Sequence, residues 1–274
     1  VNGEDAKVAG AVRRTLPQIA RAIEAAAQAI SCGGRVIYVG AGSSGRVAAL
    51  DATEVPPTFN LDPKVVQYLI AGGEKALSAA SEVSEDSAAA GQADMAKRRP
   101  SARDVVIGIA ASGRTPYTIA ALRHARKRRA RTVALTSNRN SPLARLADIA
   151  IVPDVGPEVL SGSTRMKAGT AQKMVLNMIS TGAMARLGYV YDNQMVHVSP
   201  KSGKLRERGI GIIEQLAHVS RQRALRTLKH SANSVPVALV SLLGRVDAKS
   251  ANRHLGAANG NLRRAIAAAR ESGK

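Results

Sequence analysis

Two Gly/Ser-rich segments have residue types and spacing suited to binding an anion. They are Gly42-Ser43-Ser44-Gly45 and Ser112-Gly113-Arg114-Thr115. Glycine lets the backbone approach an anion closely, and hydroxyls and helix N-terminal amides donate to phosphate oxygens. Neither segment is a P-loop, because the Gly-Lys-Ser/Thr ending is missing. Each alone is also explained as a helix cap, but two of them at predicted strand ends favour a phosphomonoester site.

The first segment also satisfies the G-x-G-x-x-G spacing of dinucleotide-binding loops, over residues 40–45. Such a loop needs an acidic residue for the ribose about 20 residues further on, at the end of the second strand. That strand ends in Ile70-Ala71-Gly72-Gly73, and Glu74 lies beyond it. The spacing therefore favours a dinucleotide only weakly.

A third segment, residues 156–170, concentrates hydroxyls and cations just before a predicted helix. Ser161, Ser163 and Lys167 are its candidate ligands for a phosphorylated sugar. A capped helix start with surface charges is the alternative explanation of this segment.

Two carboxylates stand out. Glu54 precedes Pro56-Pro57, which stiffen the chain after it. Glu85 by pattern alone is an exposed residue at a helix start. The histidines do not cluster at a zinc spacing, and only His197, in a predicted loop, is less easily explained as a surface residue.

The elements that position these residues alternate between strand and helix. Near-continuous apolar runs predict buried parallel strands at 35–39, 65–70, 104–109, 132–136 and 149–153. Helical patterns predict helices over about 5–31, 74–98 and 165–187. We therefore expect an α/β fold with a parallel sheet covered on both faces. Residues 191–203 are predicted to be a loop, and residues 204–274 to be short helices with breaks near Ser231, Gly244 and Gly260.

Composition sets wide bounds. The 274 residues include 45% hydrophobic side chains, 2% aromatic side chains and one cysteine, so the core must be aliphatic and no intrachain disulfide can form. No apolar run approaches the length of a membrane span. The net charge of +20 invites a nucleic-acid hypothesis, but stacking aromatics are almost absent. We expect a solvated basic surface that attracts anionic substrates, and no nucleic-acid partner.

Taken together, four stretches resemble the N-acetylmuramic acid 6-phosphate etherase family. They are GAGSSGRVAALDATEVPPTF (40–59), LIAGGEKAL (69–77), GIAASGRTPY (108–117) and GPEVLSGSTRMKAGTAQKMVLNMISTGAM (156–184). The resemblance implies a doubly wound, five-stranded parallel sheet, the SIS (sugar isomerase) domain, followed by a small helical C-terminal domain. On this basis we predict an N-terminal helix at 1–30, the SIS domain at 31–203 and the helical domain at 204–274. It further implies a cytoplasmic homodimer with its site near the subunit interface, without metal or cofactor.

The family removes the D-lactyl group by elimination followed by hydration. The resemblance matches Glu54 to the proton donor and Glu85 to the proton acceptor, and so replaces the surface interpretation of Glu85. Each such group is worth roughly 10²–10⁴-fold in rate. It also implies sugar or phosphate contacts, which we assign to Ser43, Ser44, Ser112, Thr115, Ser161, Ser163 and Lys167.

Departures from the family pattern leave alternatives open. Ser43 replaces a usual Thr and Val55 a usual Cys, which are mild changes. In the loop 193–205, an acidic position has become His197 and a Thr-Asn pair has become Lys201-Ser202. A SIS isomerase for another sugar phosphate, a non-catalytic sugar-phosphate sensor and a charge-driven nucleic-acid binder are the competing hypotheses.

Overall fold

A computed structural model describes residues 1–79, 82–198, 200 and 202–272. Five strands form one sheet in the order β2-β1-β3-β4-β5, and every neighbouring pair is parallel. The strands are β1 (Val36–Gly40), β2 (Val66–Ile70), β3 (Val105–Ile109), β4 (Arg131–Leu135) and β5 (Ile149–Ile151). The predicted five-stranded parallel α/β fold is confirmed.

The helices around this sheet begin and end as follows: α1 (Asn2–Arg13), α2 (Leu16–Ser31), α3 (Gly42–Phe59), α4 (Lys75–Ser78), α5 (Glu82–Glu85), α6 (Ala88–Arg98), α7 (Pro116–Lys127), α8 (Pro142–Leu146) and α9 (Lys167–Leu187). All residues of β1 and β3 are buried. This burial on both faces explains why their sequences are continuous apolar runs rather than alternating ones.

Three predicted boundaries are wrong, each for a local reason. The single helix over 5–31 is two helices, because Pro17 has no N–H for the carbonyl of Arg13 and its ring clashes there. The region 74–98 is divided between α4, α5 and α6, and Ser87 starts the last of these by accepting from the Ala90 amide at 3.2 Å. β5 stops at Ile151 rather than 153, because Pro153 cannot donate to a strand ladder.

The chain divides into two compact units. Unit 1 comprises residues 1–54 and 62–183, and unit 2 comprises residues 55–61 and 184–274. The predicted domain limits at 30/31 and 203/204 remain a prediction. No helix within the described residues is long and apolar enough to cross a membrane.

Unit 2 is mainly helical. It contains α10 (Gly203–Ala217), α11 (Arg221–His230), α12 (Val235–Gly244), α13 (Ala248–Ala257) and α14 (Leu262–Ser272) around an aliphatic core. The predicted helix breaks near Ser231, Gly244 and Gly260 are confirmed. The predicted loop 191–203 is partly wrong, because Val190–Tyr191 (β6) and Gln194–Met195 (β7) pair as a short antiparallel hairpin.

Candidate active site

The Gly/Ser-rich loops leave the sheet side by side. Gly40, the last residue of β1, pairs with Ile70 on one side and with Ile109 on the other. Neighbouring strands lie about 4.8 Å apart. The segments that follow β2, β1 and β3 therefore start next to one another, at the carboxyl edge where parallel sheets bind ligands.

The loop after β1 presents a helix start. Gly42 has a φ of 51°, a conformation that favours glycine. The first helical hydrogen bond of α3 runs from the Gly45 amide to the Ala41 carbonyl at 3.1 Å. The amides of residues 42–44 therefore have no acceptor within the helix. Ser43 is half-buried and Ser44 is buried, so amides and hydroxyls are concentrated at one point.

The loop after β3 is tightly constrained. Gly113 has a φ of 64°, and a Cβ atom there would lie 2.2 Å from Ser141 Oγ and 2.7 Å from Thr136 Oγ1. Ser112 is exposed, and its Oγ accepts from the Arg114 amide at 3.2 Å. Thr115 is half-buried directly before α7, and its side chain makes no capping bond. Both predicted ligands of this loop are thus at the same edge as Ser43.

Sequence reasoning missed the residues that support this loop. Thr136 Oγ1 donates to the Ala111 carbonyl at 3.1 Å, and Asn138 Nδ2 donates to the Ser112 carbonyl at 3.3 Å. Both lie just after β4, the strand that pairs with β3. The polar run over residues 136–141 after the fourth predicted strand was the available signal.

Arg46 was also missed. Its Nε donates to the carbonyls of Ala76 and Leu77 at 3.1 and 3.2 Å, and its Nη2 donates to the Ala79 carbonyl at 2.9 Å. The first turn of α3 thereby holds the segment that follows β2. Glu85 follows this segment along the chain. Nothing in the local sequence indicates this role, because all three acceptors are backbone carbonyls.

The two glutamates lie on different elements of unit 1. Glu54 is exposed on α3 and Glu85 is half-buried as the last residue of α5. Glu54 and Ser43 lie on nearly the same face of α3, separated by about three turns or 16 Å. Within one subunit, therefore, the backbone at the start of α3 and the backbone of Glu54 are about three turns apart.

In the third predicted segment, residues 156–170, carboxylates of the same chain already bind the helix N-terminus and Lys167. Glu158 accepts from the amides of Lys167 and Ala168 at 3.0 Å each, so a carboxylate already occupies the N-terminus of α9. Lys167 is only 1% exposed and donates to Glu4 at 2.6 Å. This bond is the largest cause of a lowered Glu4 pKa, and the hydrogen bond from Lys7 is the next largest. The resulting pKa of Glu4 is about 2.

These contacts bear on the predicted ligands of that segment. Ser161 is exposed and Ser163 is half-buried. The Lys167 ammonium, in contrast, faces a carboxylate of its own chain. Its contact with a sugar phosphate stays a prediction, and it requires Lys167 to exchange partners.

The altered loop of unit 2 borders a polar cavity of about 400 Å³, lined in part by Asn60, His197 and Asn233. His197 Nε2 lies 3.1 Å from the Gly260 carbonyl. Burial lowers the pKa of His197, and the bond to Gly260 opposes that shift. Ser199 and Lys201 of this loop lie outside the described residues.

The chain is similar to known families and proteins. Residues 18–126 match the glucokinase regulatory protein N-terminal SIS domain, and residues 76–181 match the SIS domain. The N-acetylmuramic acid 6-phosphate etherase of Symbiobacterium thermophilum is 53% identical over 247 residues, 90% of this chain and 82% of that protein. The enzyme of the same name from Salmonella agona is 49% identical over 265 residues, 97% of this chain and 89% of that protein.

Solved structures share the fold at lower identity. The phosphoheptose isomerase of Neisseria gonorrhoeae superposes with a TM-score of 0.50 at 16% identity, covering 67% of this chain and 94% of that one. A protein of E. coli CFT073, solved as a ligand complex, superposes with a TM-score of 0.50 at 19% identity, covering 68% of this chain and 89% of that one. These likenesses show the architecture alone.

Proposed function

Because this chain belongs to the N-acetylmuramic acid 6-phosphate etherase family, we propose that it cleaves the D-lactyl ether of N-acetylmuramic acid 6-phosphate. The products are N-acetylglucosamine 6-phosphate and D-lactate, so the enzyme is a carbon–oxygen lyase. The observation that carries the proposal is the sequence identity of about 50% to two such etherases over nearly the whole chain. It spans both hydroxyl loops and both glutamates.

The phosphate of the substrate binds at the carboxyl edge of the sheet. Ser43 and Ser44 offer hydroxyls beside the unpaired amides of α3, and Ser112 and Thr115 offer hydroxyls from the neighbouring loop. Helix N-termini favour anions because the amides point at them and the dipole is positive there. Ser161, Ser163 and Lys167 are further contacts in this proposal.

The reaction follows from the open-chain sugar. The C2 proton is acidic because it is α to the C1 aldehyde, and the Glu85 carboxylate removes it. The electron pair forms the C2–C3 double bond as the C3–oxygen bond breaks. Glu54 protonates the departing lactate oxygen. Water then adds at C3, and a proton returns to C2. The base must be ionised and the acid protonated when substrate is bound.

The separation along α3 supports a site shared between two subunits. C3 of the sugar is five bonds from the phosphorus, so an extended substrate covers only part of the about 16 Å between the backbones of Ser43 and Glu54 in one chain. We place the partner subunit's Glu54 at the site, in a homodimer with two equivalent sites. A cytoplasmic location and a role in cell-wall amino-sugar recycling complete the proposal.

The decisive test is incubation with N-acetylmuramic acid 6-phosphate, with D-lactate measured enzymatically. Glu54→Gln and Glu85→Gln should each reduce lactate release by about 10²–10⁴-fold, because each removes one proton-transfer group. Both variants should still bind N-acetylglucosamine 6-phosphate. Lactate release by either variant at the wild-type rate would refute its catalytic role.

Mixed dimers test the shared site. Co-refolded Glu54→Gln and Glu85→Gln chains should regain about a quarter of wild-type activity, because half of the dimers carry one intact site. No recovery in verified mixed dimers would place both glutamates in one subunit.

A non-catalytic sugar-phosphate sensor is the second candidate, favoured by the altered loop that carries His197. It predicts that the wild-type chain binds the substrate and releases no lactate. If the change to His197 removed catalysis, His197→Asp should restore lactate release.

A further inference from the structure

A buried carboxylate cluster joins three elements of unit 1. Asp51 on α3 is 4% exposed. Its Oδ2 accepts from the Tyr38 hydroxyl of β1 at 2.8 Å, and its Oδ1 accepts from Asn177 Nδ2 and Ser180 Oγ of α9 at 2.6 and 3.1 Å. We call these four side chains the Asp51 cluster. They tie α3 to the sheet and to α9 at one point.

The donors of the Asp51 cluster are all neutral. A carboxylate buried without hydrogen bonds costs several kcal/mol, so its position is strongly tied to its donors. Burial raises the pKa of Tyr38 well above its usual value, and the nearby Asp51 raises it further. Tyr38 therefore remains a donor at any pH at which the enzyme is assayed, and the direction of this bond is fixed.

The helix beyond Asp51 lacks two backbone hydrogen bonds. Pro56 and Pro57 lie inside α3 and have no N–H, so the carbonyls of Ala52 and Thr53 receive no helical hydrogen bond. Two consecutive helical hydrogen bonds are thus missing in the turn that contains Glu54. Asp51, in the preceding turn, connects this part of α3 to β1 and α9.

From these contacts we infer that Asp51 is a positioning residue that fixes the direction of Glu54, one turn further along α3. This inference rests on the proposed function, in which Glu54 transfers a proton to the leaving group. Asp51 faces inward and Glu54 is exposed, so Asp51 acts through the helix and does not contact the substrate.

The informative substitution is Asp51→Asn. If its NH₂ group faces Asn177, two donors oppose each other, and if it faces Tyr38, the buried Tyr38 hydroxyl proton loses its acceptor, so the cluster must rearrange. A shift of the reacting group by about 1 Å costs on the order of 10²-fold in rate. We expect kcat for lactate release to fall by about 10–100-fold, with KM unchanged, because the phosphate loops are untouched.

Two variants separate positioning from general stability. The exchange Asp51→Asn with Asn177→Asp restores a carboxylate–carboxamide pair in reversed order, and it should regain most of the lost kcat. Asp104→Asn is the matched control, because Asp104 is 2% exposed and also hydrogen-bonded, but lies at the other edge of the sheet. It should lower the unfolding temperature and keep kcat.

The inference is overturned if Asp104→Asn and Asp51→Asn lower kcat equally, or if the exchange recovers stability without kcat. Should Asp51→Asn fail to fold, Tyr38→Phe removes one donor and should give a smaller loss of kcat at unchanged KM. A wild-type kcat for Tyr38→Phe would likewise overturn it.

Amide hydrogen exchange tests the inference without relying on catalytic activity. If the wild-type chain releases no lactate, the proposed function fails by itself. In that case the amides of residues 50–55 should still exchange faster in Asp51→Asn and return to the wild-type rate in the exchanged pair. Wild-type exchange rates in Asp51→Asn would show that the cluster does not fix this turn.

Discussion

The two edges of the same parallel sheet differ in how many of their polar groups are hydrogen-bonded within the fold. At the amino edge, Asp104 accepts from the Arg35 amide and guanidinium and from the amide and hydroxyl of Ser101, all within 3.1 Å. At the carboxyl edge, the loops after β1 and β3 present amides and hydroxyls that the helices leave without acceptors. The first arrangement stabilises the fold, and the second leaves donors for a ligand.

Two glycines in the left-handed region, one at each edge, differ in a second way. Gly33, at the amino edge, has a φ of 70°, and a Cβ atom there would meet nothing within 4 Å. Gly113, at the carboxyl edge, has a φ of 64° and is enclosed by Ser141 and Thr136. The same substitution should therefore have different consequences at these two positions.

The largest effect is expected for Gly113→Ala. Its methyl group would overlap Ser141 Oγ, so the loop must move, and a displacement of about 1 Å costs on the order of 10²-fold in kcat/KM. Gly33→Ala is the control, with backbone strain of about 1–2 kcal/mol and unchanged kcat/KM. Steady-state kinetics and thermal unfolding of both variants measure this difference. Equal losses of kcat/KM would show that the enclosure of Gly113 has no special importance for activity.

An intermediate effect is expected for the hydroxyls. If Ser112 and Thr115 bind the phosphate as proposed, Ser112→Ala and Thr115→Ala each remove one donor to a charged group, a bond worth about 1.5–3 kcal/mol. Affinity for N-acetylglucosamine 6-phosphate should fall roughly tenfold or more in each case, as measured by calorimetry. Ser101→Ala, which removes a hydroxyl at the amino edge, should leave that affinity unchanged. A loss in Ser101→Ala as large as in the other two would contradict the proposed phosphate position.

The smallest effect on activity is expected at Asp104. Burial by itself raises the pKa of this carboxyl, but hydrogen bonds from Arg35 and Ser101 outweigh it, so the pKa lies below its ordinary value of 3.8. A lowered folded-state pKa adds stability above pH 3.8 that is lost as the pH falls through the folded value.

Asp104→Asn should accordingly flatten the acid limb of the stability curve, measured by denaturant unfolding between pH 2 and 5, and leave kcat at neutral pH unchanged. An acid limb as steep as that of the wild-type chain would assign the pH dependence to other carboxylates.

Local patterns predicted the elements well. The five strands were recognisable because strands buried on both faces need continuous apolar runs, and the loops because glycine and hydroxyl residues cluster where a helix starts. The breaks at Pro17 and at Ser87 were missed because an Ala-rich helical pattern continues across them. There, the missing proline N–H and the serine cap outweigh helix propensity.

By itself, the sequence determined which residue types can bind a phosphate and, through resemblance, which glutamates match a proton donor and acceptor. Tertiary structure decided which of them meet. It placed β1 beside β3, paired Lys167 with Glu4, and joined Asp51 to Asn177 and Ser180 far along the chain. The physical reason is that propensity and periodicity act over a few residues, whereas strand order and buried hydrogen bonds depend on groups that become neighbours only when the chain folds.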